Sequence, residues 1–386
     1  MRLKTFLLDQ WLQQHSRRVE FNLGGSTGPE WAVRELLDLG GESGREALLA
    51  SELVYAPTQG KLSLRQAIAE VHGVQAEEVM VLSGGAEALL QIFLLAADPG
   101  ANVIIPFPCF PSYEVLPEAF GYELRRYNLR RENSYQMDLD EVMHLVDRKT
   151  KILVVNSPHN PTGATLSNQE IRALHDFATE RGIQFVCDEV FHPIYHGRLT
   201  ESASVLPHAT VIGDFSKALS LPGLRLGWII ERDSRRREEY LNAREYCTVS
   251  NSPVSEFLGE IAIAHREDIL GRTRKVAGRN LQLLEGVLRE FPHIIDWVRP
   301  QGGMTGFARL VSGMDARPFC QAALSHGLLL DPGDFWGVPD HIRIGFGVGM
   351  EWFPRAIERL FVLLRSWAES QMPRLTTLAE NYPPSK

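Results

Sequence analysis

Short, near-continuous apolar runs recur along the first two thirds of the chain, separated by segments of helical period. The runs Val79-Met80-Val81-Leu82, Val103-Ile104-Ile105, Lys151-Ile152-Leu153-Val154-Val155, Gln184-Phe185-Val186-Cys187 and Thr210-Val211-Ile212-Gly213 predict strands. Between them the pattern predicts helices over 86–97, near 112–120, and over 167–181. The last opens with Ser167 as N-cap candidate and Glu170 three residues on. Strands without polar alternation, alternating with helices, indicate a mostly parallel sheet covered on both faces. Further on, a long helical stretch over 254–291 has Gly271 and Gly278 as its weak points. Ile342-Arg343-Ile344-Gly345-Phe346 then predicts a strand, and 352–371 an amphipathic helix. At the start, Phe6, Leu7, Leu8, Trp11 and Leu12 form an apolar face broken by Asp9, Gln10, Gln13 and Gln14. That pattern reads as a docked amphipathic helix, because a signal peptide needs an unbroken apolar core. The change of pattern suggests an N-terminal segment 1–45, a large domain 46–275 and a C-terminal domain 276–386. The tail from Asn381, with Pro383-Pro384, is expected to be disordered.

Composition adds bounds. The 386 residues are 44% hydrophobic and 23% charged, as in ordinary globular proteins. A formal net charge of −8 gives no reason to expect nucleic acid or an anionic membrane as partner, and no run is apolar enough to span a bilayer. Cys109, Cys187, Cys247 and Cys320 are dispersed, without CxxC or Cys/His spacing, so neither a disulfide framework nor a metal site is indicated. A reducing cytoplasm fits them best.

Ligands on such sheets bind beyond the carboxyl ends of the strands, so the residues that follow each strand matter most. Ser83-Gly84-Gly85-Ala86-Glu87 opens a helix with small residues, leaving backbone N–H groups for an anion such as phosphate or for close packing. Asn156-Ser157-Pro158-His159-Asn160-Pro161-Thr162-Gly163 is a turn fixed by two prolines and a glycine, which immobilises Asn160. Asp188 ends an apolar strand and needs a positive partner, either a nearby His159 or His192 or a protonated ring nitrogen. Lys217 follows another such strand, where an amine either snorkels to water or serves as a Schiff-base nucleophile. A phosphate-bearing pyridinium aldehyde would use all four features together.

Asn160-Pro161-Thr162-Gly163, Asp188-Glu189-Val190, and Ser216-Lys217 followed by Leu221-Pro222-Gly223-Leu224-Arg225-Leu226-Gly227-Trp228 stand in an order and spacing that resemble a known family. With Ile342-Arg343-Ile344-Gly345-Phe346, they resemble the fold-type-I pyridoxal-5′-phosphate (PLP) enzymes of the class I/II aminotransferase family. The resemblance implies an α/β fold with a PLP-transferase-like large domain and a small α+β domain built from the N- and C-terminal segments. It implies that Lys217 forms the Schiff base and moves the proton, Asp188 keeps the ring nitrogen protonated, and Asn160 bonds the ring's phenolic oxygen. Arg225 and the backbone of Gly85 and Ala86 would hold the phosphate, and Phe110 would stack on the ring. Tyr55 would reach the neighbouring subunit's phosphate, which implies a homodimer with shared active sites. Arg343 would grip the substrate carboxylate beside Asn160, with Gly25 closing over the substrate.

Two positions depart from the family pattern. Phe191 replaces a common tyrosine, removing a donor to the phenolic oxygen and raising the expected Schiff-base pKa. Asp214 replaces a common Ser or Thr at the phosphate, so its carboxylate is expected to turn away while Ser216 supplies a hydroxyl. The leading expectation is an aminotransferase acting on an α-amino acid and a 2-oxo acid. The runner-up is a β-elimination lyase or cyclase, because Arg244-Glu245-Tyr246-Cys247-Thr248-Val249-Ser250-Asn251-Ser252-Pro253 resembles the same region of capreomycidine-synthase-like enzymes. That stretch is expected to line the substrate pocket, contributed by the partner subunit. A non-catalytic PLP-binding sensor is disfavoured, since 1–45 is too short and too little basic for a DNA-binding domain.

Overall fold

A computed structural model describes residues 2–381, with side chains described through residue 370, so the tail expected to be disordered beyond Asn381 lies outside the described residues. Seven strands form the central sheet: β1 (Val79–Leu82), β2 (Asn102–Phe107), β3 (Glu123–Asn128), β4 (Thr150–Asn156), β5 (Gln184–Asp188), β6 (Ala209–Asp214) and β7 (Gly227–Ile230). Their spatial order is β1-β7-β6-β5-β4-β2-β3. All pairings are parallel except the two made by β7, which runs antiparallel to both β1 and β6. The five strands legible as apolar runs are all present. Strand β3 was not legible because it sits at the sheet edge and reads Glu-Leu-Arg-Arg-Tyr-Asn, mostly polar.

The sheet is buried on both faces. Leu153 and Val155 pack into one apolar cluster, while their neighbours Ile152 and Val154 pack into another on the opposite side. Burying each such side chain contributes roughly 1.5–3 kcal/mol, which is why the middles of these central strands are apolar.

The helix Asn168–Glu180 carries the capping box expected from Ser167 and Glu170. The long stretch over 254–291 is two helices, Pro253–Ala264 and Arg266–Glu290. The break falls at His265, whose backbone leaves helical geometry (φ −108°, ψ 26°), and not at either glycine. Gly271 and Gly278 stay helical because tertiary packing outweighs the roughly 1 kcal/mol cost of a helical glycine.

A second, antiparallel sheet comprises β8 (Ile295–Trp297), β9 (Thr305–Leu310), β10 (Asp331–Pro332) and β11 (His341–Gly345), in the order β10-β11-β9-β8. The N-terminal segment joins it: Phe21–Asn22 pairs in parallel with Leu328–Leu329. The Leu23 carbonyl accepts from the Gly345 N–H at 2.6 Å. Gly345 admits this contact only because it lacks a side chain, since a Cβ there would lie 1.9 Å from the Gly25 carbonyl oxygen. The Gly24-Gly25 turn is thereby laid over β11 and beside Arg343.

Candidate active site

Adjacent strands β4, β5 and β6 end in Asn156, Asp188 and Asp214, and Asn156 is paired in register with Asp188. A cavity of about 430 Å³ opens past these ends. Gly25, Gly85, Ala86, Phe110, Asn160, Asp188, Lys217, Arg225 and Arg343 all line it. Tyr55 does not: it is 86% exposed on the surface of the same protomer. Phe6, Leu8 and Leu12, in or beside the helix Leu7–His15, form part of the cavity wall, so the N-terminal amphipathic segment covers the site.

Lys217 lies three residues past the end of β6 and directs Nζ into the cavity, where it donates to Ser26 Oγ at 3.0 Å. Burial lowers its pKa from the ordinary lysine value, against the opposing pull of the Asp214 carboxylate; Arg343 and Arg225 push it down further. The amine is turned into the cavity and held by Ser26, as the Schiff-base reading requires. Ser26 was not singled out from the sequence; its only signal was its place in the Gly24–Gly28 turn.

Asp188 is buried, and burial lifts its carboxyl to about 6. It finds its donor in Tyr113, whose O–H meets Oδ2 at 2.5 Å, while the Val190 N–H bonds Oδ1 at 3.1 Å. The histidines expected as structural partners point elsewhere: His159 Nδ1 faces Thr162 Oγ1 at 2.8 Å and His192 Nδ1 faces Tyr195 O–H at 3.1 Å. Burial lowers His159 to about 3, so its ring is neutral and would offer Asp188 no charge. Phe110 stands edge-on to Tyr113, with ring centroids 6.2 Å apart, forming one wall.

Arg343 is 2% exposed and engaged on three sides. It donates to Asp331 Oδ2 through Nε (3.2 Å) and Nη2 (2.7 Å), to the Gly24 carbonyl (2.7 Å), and to Asn160 Oδ1 through Nη1 (3.1 Å). Because Oδ1 of Asn160 accepts from Arg343, its Nδ2 amide is the end left to donate to a ring oxygen. The arginine thus holds one Nη1 proton in reserve, fewer than a two-pronged grip needs. Asp331, which holds Arg343 from behind the cavity wall, was missed by the sequence reading although it follows the short apolar run Leu328-Leu329-Leu330, because its own strand has only two residues.

At the other end of the cavity, the helix Gly85–Leu95 presents its N-terminus. Gly227 of β7 lets it approach, since a Cβ there would lie 2.7 Å from the Gly85 nitrogen. Contrary to expectation, Asp214 does not turn away. Its Oδ2 accepts from the Gly85 N–H at 2.9 Å and its Oδ1 from the Ser216 N–H. The helix N-terminus favours an anion there, which outweighs the absence of a cation in contact with the carboxylate. Ser216 lines the cavity, and its buried Oγ has no hydrogen-bond partner among the described residues, which leaves its proton free for an acceptor. Arg225 stands exposed at the rim. An orphaned buried hydroxyl, a first-turn N–H at Ala86 and a guanidinium at one end fit a phosphate. A buried carboxylate and a free amide along the floor fit a protonated ring bearing a phenolic oxygen, with a lysine at its aldehyde.

None of residues 244–252 lines the cavity within this protomer. Arg244 is fully buried, bonded to the carbonyls of Thr58 and Val81 and to Asn251.

Known proteins resemble this chain in sequence and fold. A family model for aminotransferase class I and II matches residues 32–360. The chain is 30% identical over 350 residues to a capreomycidine synthase from Streptomyces vinaceus, covering 88% of each. It is 29% identical over 332 residues to an arginine–pyruvate transaminase from Pseudomonas aeruginosa, covering 82% of this chain and 83% of that one. A PLP-dependent aminotransferase of solved structure from Streptococcus suis superposes with a TM-score of 0.88 at 26% identity, covering 95% of this chain and 99% of that one. The match over most of the chain, on a sheet whose strand ends gather lysine, carboxylate and amide, makes this protein a member of the class I and II aminotransferase family, enzymes whose cofactor is pyridoxal 5′-phosphate.

Proposed function

We propose that the protein is an aminotransferase that moves an amino group from an α-amino acid to a 2-oxo acid. The observation that carries this reading is the convergence of Lys217, Asp188, Asn160 and Arg343 on one cavity. The bound cofactor supplies an electron sink for the pair left when the α-proton departs. Lys217, its pKa lowered by burial, takes that proton and returns it, and Ser26 Oγ orients its amine. Asp188 holds a proton on the ring nitrogen, and Tyr113 fixes the carboxylate's direction. Asn160 donates to the ring oxygen, while Arg343 orients the substrate carboxylate so that the α-proton faces Lys217. Ser216, Ala86 and Arg225 hold the phosphate.

The active unit is read as a homodimer. Leu53, Val54 and Tyr55 are 84%, 61% and 86% exposed, an apolar surface that a second copy would cover while bringing Tyr55 to its partner's phosphate. The division into segments 1–45, 46–275 and 276–386 and the cytoplasmic location belong to the same proposal. The location rests on four dispersed free thiols.

The likeness to a capreomycidine synthase favours a second reading, a lyase or cyclase built on the same proton removal. One experiment separates the two. The cofactor-loaded enzyme is mixed with a panel of amino acids, and the cofactor's absorbance is followed together with product analysis. Transamination yields the amine form of the cofactor and one 2-oxo acid per site. Release of ammonia or water with the cofactor returned unchanged would instead establish elimination.

A further inference from the structure

Asp214 occupies an unexpected place for a carboxylate. It lies at the end of β6, 8% exposed, and lines the cavity at the same helix N-terminus that suits a phosphate. Both its oxygens are committed to backbone donors, one to Gly85 at the helix start and one to Ser216 next to Lys217. It ties the helix start to the lysine-bearing loop as a phosphate in that cradle would. The hydroxyl beside it, Ser216 Oγ, is buried with no acceptor. The cradle therefore has two sets of donors: one already satisfied by a carboxylate of the chain itself, and one still unsatisfied.

We propose that Asp214 is an internal anion competing with the cofactor's phosphate for this cradle, so that it sets how tightly the chain holds the phosphorylated cofactor. This rests on the cofactor assignment and deepens it. A phosphate carrying nearly two negative charges enters a site where the Gly85 N–H is already engaged and a like charge is fixed. Ser216 Oγ, the Ala86 N–H and Arg225 must hold it against that repulsion. Phosphate-dependent affinity is therefore reduced, and the cofactor exchanges more readily than it would with a neutral residue at this position. Without phosphate, the same carboxylate caps the helix and stabilises the chain.

The test compares wild type with Asp214→Asn and Asp214→Ser by equilibrium dialysis of two probes. Pyridoxamine 5′-phosphate carries the phosphate and pyridoxamine lacks it; neither has an aldehyde, so the Lys217 bond plays no part. The expected result is that both variants bind pyridoxamine 5′-phosphate about tenfold or more tighter, with pyridoxamine affinity unchanged. Thermal melting gives an independent reading on folded protein. The ligand-free variants should melt below wild type, and inorganic phosphate should raise their midpoint more than it raises that of wild type. Unchanged or weaker phosphate-dependent binding, or an equal response to inorganic phosphate, would overturn the proposal. Asp214→Ser restores a short hydroxyl, so it keeps the test decisive if the amide variant folds poorly. Wild type that binds neither probe would instead count against the cofactor site as a whole.

Discussion

Asp331 and Arg343 face each other across the antiparallel pair β10–β11, in register and nearly inaccessible, at 0% and 2% exposure. The family resemblance assigns the arginine to a substrate carboxylate, yet its charge is already matched by a carboxylate of the chain. A substrate carboxylate must therefore share Arg343 with Asp331, at a cost set by two like charges in a site of low dielectric.

Asp331→Asn removes that competing charge while keeping an oxygen for the guanidinium. We expect the variant to bind carboxylate substrates and simple monocarboxylate competitors more tightly, by roughly tenfold. The chain itself should become less stable, by about 3 kcal/mol, because a buried arginine loses its counter-ion. The pH dependence has a definite sign. Burial raises Asp331 to about 6 even though Arg343 opposes it. The protonated acid, which does not repel a second carboxylate, prevails below that pH. Competitor affinity of wild type should fall as pH rises through about 6, and Asp331→Asn should lack this step. Identical profiles for the two proteins would remove Asp331 from any role in substrate binding.

Tyr113 gives a second prediction. Its O–H is the side-chain donor to Asp188 Oδ2, and that bond holds the carboxyl below where burial alone would place it. Tyr113→Phe deletes a hydrogen bond to a charged group, which shifts Asp188 upward by about one to two pH units. In the cofactor-loaded enzyme the acid limb of the kcat/KM profile should move to higher pH, with kcat near neutrality reduced about tenfold. A kcat that falls equally at every pH would show that Tyr113 acts only through packing.

These contacts mark how far the sequence could be read. The strand-end rule located Asn160, Asp188 and Lys217, because an apolar run followed by a polar residue is a local pattern and the sheet aligns such ends without further information. The second sheet was hardly legible. Its β10 has only two residues, and the partnership of Asp331 with Arg343 depends on a register that no short-range pattern encodes. Tyr113 lies three residues after Phe110, yet nothing local distinguishes a tyrosine that bonds a distant aspartate from one that fills a core. Asp214 was noticed as out of place but assigned the wrong direction. Repulsion from a phosphate favours a carboxylate turned away, but the N–H of Gly85 at the helix start and the N–H of Ser216 after β6 draw it in.

Ser26 supplies a third prediction. Its hydroxyl accepts from Lys217 Nζ at 3.0 Å, and the turn that carries it is anchored over β11 through Leu23. Ser26→Ala removes an orienting contact without adding or removing charge. Cofactor binding should stay the same while kcat falls several-fold, since alignment of the amine with the α-proton contributes to the barrier. Methionine or another large residue there should also raise KM by narrowing the cavity. A loss of cofactor affinity in Ser26→Ala would place the residue in holding the cofactor instead.

Arg244 tests whether the 244–252 stretch acts in specificity or in architecture. The side chain is fully buried, 3.6 Å from Glu87, and bonded to Asn251 Oδ1 at 2.7 Å and Thr248 Oγ1 at 3.2 Å. It also holds the carbonyls of Thr58 and Val81, tying the loop after Tyr55 to strand β1. Asn251 continues the network by donating to Glu256 at 2.9 Å. Replacing the arginine with methionine fills similar volume but takes the cation from beside the buried Glu87 and the donor from the Thr58 carbonyl, while Val81 keeps its bond from Asn251. The expected loss is on the order of 3–5 kcal/mol, readable as a lower urea midpoint with an unchanged slope. Order among amino-acid substrates should be preserved in whatever fraction folds, because the side chain does not reach the cavity. A variant that kept wild-type stability but changed its substrate order would return this arginine to the substrate pocket. Within the protomer, its buried bonds give it the opposite role: it positions the surface from which Tyr55 projects.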